Sequence, residues 1–149
     1  MIFMDIRDEI KKRRKESWLE VWFSIEVLGI DENIAKDSLA KHVEKLSHVK
    51  DTFVYEKDFK DIKKVKNPLK GVEEAYSQVV NVKFFVKSLP TLLNIVLTYG
   101  PSSVEIIGPD KKDVNAAEIQ DIANVLAGLV HQFAAAGAGG IVITPEEKR

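Results

Sequence analysis

Apolar and polar residues alternate most clearly between Trp18 and Leu28, where the apolar side chains stand at every second position. This period of two is typical of a β-strand with one buried face. Residues 52–59 and 79–86 are rich in β-branched and aromatic residues, which favours two more strands, the second of which is long and begins at Tyr76. A fourth, short strand is predicted before Gly108 and Pro109.

Three segments have apolar residues at helical spacing instead. Residues 32–46 form the first helix and 89–99 the second, which is capped by Ser88. A third, at 115–136, begins with Asn115 and Glu118 in the spacing of a capping box. All three helices are predicted to be amphipathic, and the last carries the widest apolar stripe.

The remaining segments flank or join these elements. Residues 1–17 are predicted to form a helical arm, because a thin apolar stripe at spacing four is followed by the basic run KKRRK. Residues 60–71 are lysine-rich and are predicted to be a connection. Its lysines are interpreted as protection of a sheet edge against pairing, in preference to phosphate binding. The sequence IVIT at 141–144 suits a further short strand. We therefore expect an arm at 1–17 and one domain at 18–149.

The order of the elements predicts the fold. After the arm, four strands and two helices follow as βαββαβ, and right-handed crossovers place the first and third strands at the centre. This gives an α+β, ferredoxin-like sandwich with strand order 4-1-3-2, counting the strands along the chain, and an added C-terminal helix. Both inner helices lie on one face of the sheet.

The other face of this sheet is the main clue to function. It combines aromatic and aliphatic side chains with carboxylates, and so much apolar surface is seldom left in water. The candidate binding or interface residues on it are Trp18, Trp22, Phe85, Glu105 and Glu26. Three occupants are considered: the C-terminal helix, a second copy of the chain, or a small-molecule ligand. A homo-oligomer is preferred, because interface cores favour aromatic residues.

Two other functions remain open as alternatives. Single-stranded RNA could stack on aromatic residues of the central strands, with phosphate contacts from Lys60, Lys63, Lys64 and Lys66. An enzyme could instead use Glu26 and Glu105 as paired carboxylates with separated pKa values. No catalytic residue is assigned, because no motif supports one.

Composition limits the function further. The chain has 149 residues and no cysteine, and its net charge is −1, which excludes thiolate metal sites and a general attraction to nucleic acid or anionic membranes. The three histidines lack metal-ligand spacing. We expect a cytoplasmic protein without metal or cofactor that does not bind membranes. Abundant Lys and Glu are typical of thermophiles.

One segment resembles a known family. Residues 88–109, SLPTLLNIVLTYGPSSVEIIGP, share the order helix, YGP turn, VEI strand and Pro with the C-terminal extension domain of WYL-type bacterial regulators. That domain is also ferredoxin-like, so the resemblance implies an oligomerising or ligand-sensing module. No helix-turn-helix and no WYL-type barrel precedes the segment. As a whole, the chain is similar to small archaeal proteins of unassigned function.

Overall fold

The structure is a computed structural model that describes residues 5–137. It contains four helices and five strands within that range. Within this range, residues 5–113 form one compact unit and residues 114–137 belong to a second. The first unit contains α1 (Ile6–Lys15), β1 (Leu19–Gly29), α2 (Glu32–Ser47), β2 (Thr52–Phe59), β3 (Lys63–Leu69), β4 (Val72–Val86), α3 (Leu89–Tyr99) and β5 (Ser103–Gly108).

The five strands form one antiparallel sheet with helices on it, so the predicted ferredoxin-like α+β class is confirmed. Four strands lie in the order β2-β4-β1-β5, and β3 also pairs with β4. The order therefore differs from the predicted order of four strands by the additional strand β3. β2 and β3 follow one another along the side of β4 that faces away from β1.

The prediction of a connection at 60–71 was wrong. Residues 63–69 form β3, which turns at Gly71 into β4 and pairs with its first residues. Gly71 has a φ of +84°, a left-handed conformation that glycine adopts without steric cost. The lysines concealed this strand, because they replace the apolar residues by which strands are recognised. β4 consequently begins at Val72, four residues before Tyr76, where the long strand was predicted to begin.

The core lies between the sheet and the helices α2 and α3. The alternating residues of β1 and β4 that face these helices are almost fully buried. Phe23 and Phe84 are the largest of them, and their ring centroids are 4.8 Å apart. α2 contributes Leu39, Val43 and Leu46, and α3 contributes Leu92 and Ile95.

Gly29 allows α2 to approach the end of β1. A Cβ atom at this position would lie 2.7 Å from the backbone nitrogen of Ala35 and 2.9 Å from its Cα atom. Gly29→Ala should therefore lower the free energy of unfolding by about 1–2 kcal/mol, because backbone atoms must move to relieve the overlap. Urea denaturation measures this loss.

Gly128 offers a matched control, since a Cβ atom there meets nothing within 4 Å. Gly128→Ala should not destabilise the protein, because alanine is the better helix former by about 1 kcal/mol. Equal stability of Gly29→Ala and the unmodified chain would show that α2 does not need the close approach.

The second unit contains α4 (Ala116–Ala135), a helix of 20 residues. Asn115 caps it as predicted, and its side chain accepts a hydrogen bond of 2.9 Å from the backbone nitrogen of Glu118. None of the residues in this helix is buried. The predicted strand at 141–144 lies outside the described residues. Among residues 5–137, no helix has the length and apolar character to cross a membrane.

Candidate functional site

The face of the sheet that points away from α2 and α3 is the candidate site, and we call it the open face. Directly opposite residues of an antiparallel pair share a face, so the strand register gives its rows. One row crosses all four strands of the main path, and its members are Glu105, Trp22, Lys83 and Glu56. Lys83 Nζ lies 3.3 Å from a carboxylate oxygen of Glu56. Trp22 is half-buried between its charged neighbours.

An ion pair between an exposed arginine and a buried glutamate lies at one end of the open face. Glu20 of β1 is only 5% exposed, and both of its carboxylate oxygens accept hydrogen bonds of 2.9 Å from Arg14 of α1. Tyr55 of β2 donates a third bond of 2.6 Å to the same carboxylate. Because α1, β1 and β2 each supply one residue, this cluster attaches the N-terminal arm to the sheet.

The ionisation of these groups follows from the contacts. The hydrogen bonds from Arg14 lower the pKa of Glu20 despite its burial, and the bond from Tyr55 adds to the effect. The same ion pair raises the pKa of Arg14. Burial, together with the neighbouring carboxylate, raises the pKa of Tyr55. Glu20 is therefore an anion and Tyr55 a neutral donor at physiological pH.

A small cavity of about 210 Å³ lies beside this cluster. It is lined by Arg14, Trp18, Glu20, Gly108 and Pro109. Trp18 forms its apolar wall and is itself covered by Arg13, whose guanidinium carbon lies 4.2 Å from the ring centroid. The cavity is too small for most cofactors.

The candidate residues on the open face differ widely in exposure. Phe85 has no exposed surface and packs against Tyr55, with ring centroids 5.3 Å apart, so it cannot contact a ligand directly. Trp18 and Trp22 are half-buried, whereas Glu26 and Glu105 are exposed. Trp22 is thus the aromatic side chain at the centre of the face, and Glu105 is its neighbour on β5.

Glu26 and Glu105 are not brought together. Glu105 is opposite Trp22, and Glu26 lies four residues further along β1, a distance of about 13 Å along the strand. Two carboxylates at this separation do not share a proton in the manner of a close pair. The geometry gives the paired-carboxylate hypothesis no support.

The four candidate lysines do not form a single patch. Lys63 is opposite Ser77 and lies on the open face, whereas Lys64 and Lys66 are opposite Tyr76 and Glu74 on the other face. Lys60 pairs with Asp58 at 2.6 Å, and Lys64 pairs with Glu74 at 3.1 Å. Two of the four lysines have acidic partners, and Lys63 lies on the opposite face from Lys64 and Lys66, so the positive charge is divided rather than concentrated in one patch.

Two of the three histidines in the described part of the chain, His42 and His48, make local contacts. His42 Nε2 lies 3.0 Å from the carbonyl oxygen of Tyr99 and joins α2 to the end of α3. His48 Nε2 lies 2.9 Å from Glu44 on the same helix. Among residues 5–137, no group of three or more His, Cys, Asp or Glu side chains is arranged to hold a metal ion.

Comparison with known proteins places the chain in a family. The sequence model of the MJ0538 family matches residues 20–146. The chain belongs to the MJ0538 family. The matched region starts at Glu20, the second residue of β1, and includes the rest of that strand, β2 to β5 and α2 to α4, whereas α1 and Arg14 precede it. No curated protein and no solved structure matches the chain.

Sequence reasoning missed two residues of the site in this MJ0538-family chain, Arg14 and Tyr55. The arm has isoleucines at 2, 6 and 10, and Arg14 continues that spacing of four, so it lies on the same side of the helix. The spacing was a usable signal, but the basic run around it had indicated a solvated helix face. Tyr55 gave no signal beyond strand propensity.

Proposed function

We propose that this protein is a non-catalytic, homo-oligomeric binding scaffold, and that copies of the chain associate through α4. The observation that carries the proposal is the apolar seam of this helix, which we define as Ile119, Ile122, Leu126, Leu129 and Phe133. These residues recur at alternating steps of three and four, the spacing of positions a and d in a coiled coil.

The seam is accessible in the single chain. Ile119, Leu126 and Phe133 are each at least half exposed, at 57%, 50% and 51%, and Ile122 and Leu129 are half-buried. Complete burial of such a side chain contributes about 1.5–3 kcal/mol. Association through the seam would therefore yield enough free energy to offset the entropy of binding.

The chemistry of α4 favours a second copy as the occupant. Its ionisable residues are Glu118, Asp121 and His131, and none of them belongs to the seam. Val125 and Val130 flank the seam and widen it beyond the strict two-position stripe of a two-stranded coil. An apolar surface of this width and periodicity is complementary to another helix of the same kind, and it suits a bundle of helices.

The open face supplies the binding part of the proposal. Trp22 presents a partly accessible aromatic ring between Glu105 and Lys83, an arrangement that suits a small ligand with an apolar body and a polar group. The resemblance of residues 88–109 to the extension domain of WYL-type regulators supports the same kind of role, an oligomerising or ligand-sensing module.

Leu126→Glu tests the association through α4. This substitution places a charge in the middle of the seam, and we expect the native mass from light scattering to fall to half or less of its unmodified value. Leu126 is 50% exposed in the single chain, so the introduced carboxylate can remain in contact with water. The helix content measured by circular dichroism should therefore stay the same.

Asn124→Glu is the matched control, because Asn124 is exposed on the same helix and lies outside the seam. It introduces the same charge and should leave the native mass unchanged. Equal masses for the two variants would overturn the role of α4.

A further inference from the structure

Among the described residues, β5 is an edge strand of the sheet. It pairs with β1, and no other strand in residues 5–137 lies beside it. Five of its six residues are exposed, and Val104 and Ile106 remain 43% and 45% exposed although they point to the same face as the core residues Phe23 and Val21. The backbone N–H and C=O groups along such an edge can accept another strand.

The two edges of the sheet are built differently. The edge formed by β2 and β3 carries Pro68 and a series of lysines, features that prevent pairing with a further strand. These lysines are Lys57, Lys60, Lys63, Lys64 and Lys66. β5 has the sequence SVEIIG, with no lysine or proline, and Glu105 is its one charge. Of the two sheet edges within residues 5–137, only the one formed by β2 and β3 carries these protective features.

We propose that β5 pairs antiparallel with β5 of a second copy, so that two sheets join into one. A two-fold axis relates the two β5 strands, so each strand donates backbone hydrogen bonds to the other and accepts hydrogen bonds from it. One contact then covers the β5 edges of both copies. The outer edges of the joined sheet are the lysine-rich strands β2 and β3 of each copy. A strand of an unrelated partner would cover the edge of one copy only.

The position of Glu105 excludes one register of the pair. Directly opposite residues must share a face, so a two-fold axis passes beside one residue of the strand. An axis at Glu105 would place two carboxylates against each other, which is unfavourable. Our proposal places the axis at Ile106, so that Ile106 lies opposite Ile106 of the second copy, next to the core faces of both sheets, and the repulsion is avoided.

This register can be tested by disulfide formation, because the chain contains no cysteine. Opposite residues of an antiparallel pair have Cα atoms about 4.5–5.5 Å apart, a separation that a disulfide spans. In Ile106→Cys, mild oxidation should convert most of the protein into a covalent dimer on a non-reducing gel. In Val104→Cys the cysteine faces Gly108 of the second copy, and the yield should be at least several-fold lower.

Phe59→Cys is the control on the opposite edge, since Phe59 is 40% exposed at the end of β2 and points to the same face of the sheet. It should give only the slow cross-linking of random collisions. If Ile106→Cys and Phe59→Cys form disulfide-linked dimers at equal rates, the inference is wrong, because β5 then does not pair with β5 of a second copy. Ile106→Lys should also lower the native mass, whereas Phe59→Lys should not.

The inference is independent of the association through α4. Cross-linking of Ile106→Cys should persist in a chain that also carries Leu126→Glu. If Leu126→Glu leaves the native mass unchanged while Ile106→Cys forms the dimer, the role of α4 fails and the strand pairing stands. If Leu126→Glu lowers the native mass while Ile106→Cys forms no covalent dimer, the strand pairing is wrong and the proposed function stands.

Discussion

Replacing Phe23 with alanine should lower the free energy of unfolding by about 3–5 kcal/mol. Phe23 has no exposed surface, and its ring packs against Phe84 at the centre of the core between the sheet and the helices. Its removal leaves a cavity that side chains from β1, β4, α2 and α3 cannot all move to fill. The loss is a large part of the total stability of a typical domain, about 5–15 kcal/mol.

The measurement is chemical denaturation of the variant beside Phe59→Ala. Phe59 is the same type of residue in the same sheet, but it is 40% exposed at the end of β2. We expect its removal to cost less than half as much. Similar losses for the two variants would contradict the placement of the core.

Removing Arg14 should have the next largest effect, about 2–3 kcal/mol for Arg14→Ala. Glu20 would remain almost fully buried, with only Tyr55 to donate to its carboxylate. α1 would also lose its bidentate attachment to the sheet. Arg7→Ala is the control, because Arg7 is exposed on the same helix and should change the stability by less than about 0.5 kcal/mol.

The pH dependence of stability provides a second test of the ion pair. Because the folded-state pKa of Glu20 is lowered below the ordinary value of 4.5, its contribution is fully present above that value. It is lost as the pH falls from 4.5 through the folded-state pKa. Glu20→Gln should make stability less dependent on pH in this acidic range. An unchanged acid profile would contradict a native ion pair at Glu20.

Most of the fold could be predicted, because burial on one face leaves a direct imprint on the sequence. The alternation from Leu19 to Val27 and the helical spacing from Leu89 to Tyr99 each gave the correct element. β3 could not be predicted in this way. β3 is an edge strand whose lysines are exposed to water, so it lacks the alternation of apolar residues. Its pairing with β4 uses backbone N–H and C=O groups, which nearly every residue carries, so the pairing leaves no signal in the sequence.

The site was only partly predictable. The alternation of side chains along each strand placed Trp22, Phe85 and Glu105 correctly on one face of the sheet. This alternation does not reveal which other side chains cover each residue. Phe85 is buried because Tyr55 lies over it, and a bulge in β2 between Val54 and Glu56 determines the position of Tyr55. Such an irregularity leaves no periodic pattern. The stripe on α1 was recognised, but the pairing of Arg14 with Glu20 depends on the tertiary arrangement.

The native mass of the full-length protein by light scattering tests the central claim, self-association, most directly. At micromolar concentration we expect a mass of at least twice the 16.8 kDa of one chain. A dimer agrees with either α4 or β5 as the contact, and a tetramer agrees with both together. A single species of 16.8 kDa across the micromolar range would contradict the proposed homo-oligomeric scaffold.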